Sequence, residues 1–121
     1  MLDLESDIKP QTQSECAKNL LPVRDALHVL SGKWKLTIIV ALFFGSKRFK
    51  EMEREITGIT AKMLSQELKD LEANDLVKRT VYNTTPVTVE YELTEYGWSL
   101  KPVINALRDW GAEHRKKILG K

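Results

Sequence analysis

TAKMLSQELKDLEANDLVKR, residues 60–79, reads as one helix running into the start of a strand. It holds as many acids as bases, so counted by charge it is an indifferent surface helix. Placed by angle it divides into two faces. At about 100° per residue, with Lys62 at zero, Leu64, Leu68 and Leu71 fall at roughly 180–240°, and Ser65, Gln66 and Lys69 fall within about 60° of Lys62. One side is a leucine stripe that belongs in a core. The other holds two lysines with two hydrogen-bonding side chains between them, and Glu67, Asp70 and Glu72 lie on the flanks. This face suits the DNA major groove: Gln66 can pair with adenine in bidentate fashion, Ser65 can donate or accept, and Lys62 or Lys69 can reach guanine or a phosphate. An ordinary amphipathic helix has the same outline, so the neighbouring segments decide between the two readings.

Downstream, residues 87–93, VTVEYEL, alternate strictly: Val87, Val89, Tyr91 and Leu93 against Thr88, Glu90 and Glu92. That is a strand with one buried face, and Leu76 to Tyr82 is its expected antiparallel partner. Asn83 to Pro86, NTTP, forms the turn. Thr94 caps a final helix whose stripe is Leu100, Val103, Ile104, Leu107, Trp110, His114 and Ile118; Pro102 either kinks it or marks a later start near Ser99. Upstream, Thr60 is the expected N-cap of the 60–79 helix, and Thr57–Gly58 makes a short turn before it. Three earlier helices are expected at about Pro22–Leu30, Lys33–Phe43 and Phe49–Ile56, the second being the central core helix. Short helices leading into a hairpin make a winged helix-turn-helix. The expected class is therefore mainly α with some β, with a two-stranded wing and a long C-terminal dimerisation helix.

The chain of 121 residues is 42% apolar and 30% charged, a balance that suits one globular domain. We expect a flexible acidic arm over residues 1–15 and a DNA-binding and dimerisation domain over 16–121. A net charge of +2 says little about nucleic acid, but its distribution says more. Asp3, Glu5, Asp7 and Glu15 face only Lys9 in the arm, whereas Ala26 to Lys50 contains no acid and carries Lys33, Lys35, Lys47, Arg48 and Lys50. Such a block either attracts a phosphate backbone or is simply a solvated surface. No apolar run is long enough to span a bilayer and the N-terminus does not resemble a signal peptide, so we expect a cytoplasmic protein with no membrane partner. A single cysteine, Cys16, excludes an intrachain disulfide.

Several motifs in order carry a family resemblance: GKWKLTII (32–39), KRFKEM (47–52), GITAKMLSQELKDLEANDLVKR (58–79), PVTVEYELTEYG (86–97) and LRDWG (107–111). Together they resemble the HxlR-type winged-helix regulators of bacteria, relatives of the MarR type, over Cys16 to about Gly111. The resemblance implies a homodimeric repressor or activator, with the Thr60 helix as the recognition helix and the NTTP hairpin as the wing. It implies a dimer interface from the first and last helices, here Leu20, Leu21, Leu100, Val103, Ile104, Leu107 and Trp110. Arg48 would be a backbone contact at the entrance of the motif. Cys16 stands where some members sense oxidants or electrophiles, with Lys18 nearby to favour thiolate; an inert cysteine near the dimer interface is the alternative. One departure is Asn74–Asp75 in place of an acid or Asp followed by Gly, which obliges Asp75 to take a helix-end conformation that Gly adopts easily.

The expected function is sequence-specific recognition of double-stranded DNA by a homodimer on a near-palindrome. Lys62, Ser65, Gln66 and Lys69 would read bases. Lys33, Lys47, Arg48, Thr60, Lys78 and Arg79 would hold the backbone, and Asn83, Thr84 and Thr85 would form the wing tip. The competing reading is a winged helix used only for protein–protein contact. An enzyme is not expected, nor a metal or a cofactor: His28, His114 and Cys16 lack ligand spacing, and there is no phosphate loop or nucleophile motif. No effector is legible.

Overall fold

The computed structural model describes residues 13–120, the side chains of residues 13, 14 and 16 excepted. The helices and strands in chain order are α1 (Gln13–Leu30), α2 (Lys35–Leu42), β1 (Lys47–Arg48), α3 (Phe49–Glu55), α4 (Ala61–Ala73), β2 (Val77–Tyr82), β3 (Thr88–Leu93), α5 (Glu95–Trp98) and α6 (Lys101–Leu119). This is the expected winged helix-turn-helix, with three differences of detail.

First, α1 begins at Gln13, not at Pro22, and carries Pro22 inside it. The preceding residues include good helix formers such as Glu15, Ala17 and Leu20, and they extend the helix despite the backbone bond that proline cannot make. Second, the wing is not two-stranded at its root. β1 pairs with β3, giving the antiparallel order β1-β3-β2 with Lys47 opposite Tyr91 and Val77 opposite Leu93. Third, the final helix is two helices. Thr94 caps only α5, its Oγ1 accepting the Gly97 N–H at 2.8 Å, and α6 starts at Lys101 with Pro102 in its first turn, where a missing N–H costs nothing.

The core is built around α2 and α4. Ile38, Ile39 and Leu42 meet Leu64, Leu68 and Leu71, with Met52, Ile56 and Ile59 from the turn region and Leu76, Val77 and Leu93 from the sheet root. Each such side chain contributes about 1.5–3 kcal/mol by leaving water. The core stops short of the wing tip. Leu93 is buried and Tyr91 and Val89 partly so, but Val87 is 61% exposed. Leu100 and Ile104 pack on this core and dock the start of α6.

The end of α4 is a fully formed Schellman turn. The Leu76 N–H donates to the Leu71 carbonyl at 3.0 Å and the Asp75 N–H to that of Glu72 at 2.9 Å, while Leu71 and Leu76 are both buried. Asp75 sits there at φ 62, the left-handed conformation expected of it. Asp75→Gly should therefore raise stability by about 0.5–1 kcal/mol, because glycine avoids the Cβ penalty of this conformation while losing more chain entropy. Denaturant midpoints of the two proteins check this; an unchanged or lower midpoint would mean that Asp75 carries no penalty.

Candidate nucleic-acid interface

Thr60 begins α4 as expected, its Oγ1 accepting the Met63 N–H at 3.1 Å. The helix then buries Leu64, Leu68 and Leu71 completely and turns Lys62, Gln66 and Lys69 to solvent, with Ser65 half-buried beside them. Neither Lys62 nor Lys69 forms an ion pair with any described residue. The Gln66 amide donates to Asp70 Oδ1 at 3.3 Å.

The acids on the flanks have an internal partner that the helix sequence alone does not reveal. Lys35, at the start of α2, places its Nζ 3.0 Å from Glu67 Oε1 and 3.4 Å from Asp70 Oδ2. The Lys35 and Glu67 side chains are only 12% and 15% exposed, so water screens this pair weakly. Desolvation lowers the Lys35 pKa, but the hydrogen bonds and charges of Glu67 and Asp70 outweigh it and hold the ammonium above its usual value of 10.5. A cation with a raised folded-state pKa adds stability below its unfolded pKa and loses it as pH rises through the folded one, so this clamp is intact through the neutral range. It joins α4 to α2 and offsets half of the negative charge of the two acids beside the exposed face.

The remaining basic residues separate into engaged and free. Lys47 bonds Glu55 at 3.0 Å with its side chain 15% exposed, so it is tied within the fold. Lys78 lies 3.9 Å from Glu92 across the ribbon, and Lys33 lies over the Trp34 ring at 4.9 Å. Arg48 and Arg79 are exposed, and neither side chain pairs with a described residue. Arg48 stands at the N-cap of α3, where its backbone N–H donates to Glu51 Oε1 at 2.9 Å. Its side chain opens onto a cleft of about 760 Å³ between α3 and the wing, shared with Lys50, Arg54, Pro86 and Thr88. Charge distribution along the sequence does not single out Arg54. It lies four residues after Lys50 on a short helix, and that spacing was the available signal.

At the wing tip Asn83, Thr84 and Thr85 are exposed. The Thr84 hydroxyl donates to the Pro86 carbonyl at 2.6 Å and lies 3.1 Å from the Thr88 hydroxyl, which ties the loop together. Away from this face, α1 and α6 bury no residue fully among those described. Leu20, Leu21, Val103, Leu107 and Trp110 are all substantially exposed, Trp110 at 69% with its ring stacked on His114 at 5.0 Å. A single chain leaves that apolar surface uncovered. The thiol of Cys16 lies outside the described residues, although α1 runs through its position. Among the described residues no helix is long and apolar enough to cross a membrane.

A family model for the HxlR-like helix-turn-helix matches residues 29–118. The HTH-type transcriptional regulator YtcD of Bacillus subtilis is 44% identical over 106 residues, which are 88% of this chain and 84% of that protein. Among solved structures, the redox regulator HypR in its reduced form is similar with a TM-score of 0.76 at 39% identity, over 83% of this chain and 99% of that one. The reduced form of the transcriptional regulator YodB from B. subtilis gives a TM-score of 0.71 at 38% identity, over 81% and 92% of the two chains.

Proposed function

Because this chain belongs to the HxlR-like helix-turn-helix family, and so is a transcriptional regulator of the helix-turn-helix type, we propose that it binds a near-palindromic DNA operator as a homodimer. One observation carries the reading. The exposed face of α4 holds Lys62 and Lys69, neither paired with a described residue, around Gln66, while the adjoining acids Glu67 and Asp70 are bound to Lys35. The face offered outward is thus locally basic although the helix as a whole is not. Lys62, Ser65, Gln66 and Lys69 read base edges. Arg48, Arg79, Lys33 and Lys78 hold phosphates, with Arg54 as an added contact beside Arg48, and Thr60 and the wing residues Asn83, Thr84 and Thr85 approach the flanking backbone. Lys47, tied to Glu55, serves the fold first. The exposed α1 and α6 residues form the dimer contact. Likeness to HypR, a redox regulator, supports Cys16 as the group through which an oxidant or electrophile acts.

Two variants test the division of labour. Gln66→Ala should reduce the preference for the selected operator over random duplex by about 5- to 150-fold per half-site, the span expected for one bidentate base contact, and by the product of two such factors on the full operator. Arg48→Ala should weaken both duplexes alike and lower the slope of log affinity against log salt by about one for each phosphate it no longer neutralises. Equal loss on both duplexes for Gln66→Ala would remove its reading role, and an unchanged salt slope would remove Arg48 from the phosphate-binding set.

A further inference from the structure

Gln66 is a long, exposed side chain, and a bidentate pair with a base requires its amide plane and its oxygen–nitrogen sense to be fixed. The neighbouring residues set the second and narrow the first. Asp70 lies one helical turn further along, and its Oδ1 accepts from Gln66 Nε2 at 3.3 Å. A carboxylate accepts only, so the amide cannot turn its oxygen toward Asp70 without repulsion. The second amide hydrogen and the amide oxygen remain available to a base. Asp70 is itself held, its other oxygen lying 3.4 Å from Lys35 Nζ. Lys35 in turn is anchored by Glu67 at 3.0 Å in a largely buried pair. A continuous line of contacts therefore runs from the first turn of α2 to the exposed tip of Gln66.

We propose that Asp70 and Lys35 are positioning residues for base discrimination, fixing the Gln66 amide so that it enters the groove already oriented. The inference rests on Gln66 reading bases. Its distinctive consequence is that Asp70 and Lys35 matter to specificity only through Gln66. A change in charge alone would shift affinity for every duplex alike and leave the ratio of operator to random binding unchanged.

The test measures that ratio for the full chain, using the duplex enriched by selection from a random pool and a scrambled duplex of the same composition. Asp70→Ala and Lys35→Met are each made in the wild-type and in the Gln66→Ala background. Asp70 is partly exposed, so its variant keeps the fold even if Lys35→Met lowers stability. Each is expected to lower the ratio about three- to tenfold in the wild-type background and by less than about twofold once Gln66 is alanine, the signature of coupled neighbours. An unchanged ratio, or an equal fall in both backgrounds, would overturn the positioning role while leaving base reading by Gln66 intact. A ratio that does not move on Gln66→Ala alone would overturn base reading by Gln66 and the positioning role with it.

Discussion

Gly97→Ala is expected to destabilise the chain by about 3 kcal/mol, because a methyl group forced into a filled space displaces its surroundings. A Cβ at this position would lie 2.2 Å from the Leu76 carbonyl oxygen and 3.2 Å from Leu93 Cδ2. The carbonyl cannot move aside freely, since it accepts the Thr94 N–H at 3.0 Å. Thr94 is fixed in turn, its hydroxyl donating to the Asp75 carbonyl at 2.6 Å and accepting from the Gly97 N–H. These bonds join the left-handed turn at the end of α4 to the start of α5, so relief of the clash must loosen the joint between α4 and α5. A fall in melting temperature of roughly 10–20 °C is the corresponding signal. A melting temperature within a few degrees of wild type would mean that the α4–α5 junction is not closely packed.

Leu107→Glu is expected to leave the fold intact and abolish the dimer. Leu107 is 52% exposed and lies outside the core, so the individual chain loses little. In a dimer built from α1 and α6, the same substitution buries an unpaired carboxylate among Leu20, Leu21, Val103 and Trp110, a cost of several kcal/mol per copy. Sedimentation should then report a monomer at micromolar concentration with an unchanged circular-dichroism spectrum. Operator affinity should fall about a hundredfold or more, because linkage of two reading heads multiplies affinity by about 10²–10⁴. A variant that still sediments as a dimer would move the interface away from α6.

Features set by local periodicity were legible in the sequence. The leucines of α4 and its opposite face followed from a 3.6-residue repeat, and β3 followed from a two-residue repeat. Thr60 followed from the chemistry of helix ends and Asp75 from the family resemblance, and both occupy the expected conformations. Contacts between distant segments were not legible. β1 is two residues long and exists only because Lys47 and Arg48 align with Tyr91 and Glu90 on β3. The Lys35–Glu67 pair joins residues 32 positions apart, so the acids of α4 read as a solvated flank until the fold brought α2 beside them. Lys47 read as a free cation for the same reason, with Glu55 as its unseen partner. Alternation identifies the inner face of β3 but not how far the core extends beneath it, and so Val87 falls in the inward register although it is exposed. Leu100 and Ile104 belonged to one apolar stripe with Leu107 and Trp110, yet they pack on the chain's own core while the later residues face outward. A helical stripe does not distinguish a contact within the chain from one with a second copy.

In the proposed complex two copies of α4 read a twofold-related sequence. Selection from a random duplex pool, followed by the mass of the complex on the enriched duplex, addresses it directly. The expected result is a near-palindrome whose half-site centres lie about 10 base pairs apart, bound by two chains. A pool without an enriched motif, or an unsymmetric site bound by one chain, would contradict it.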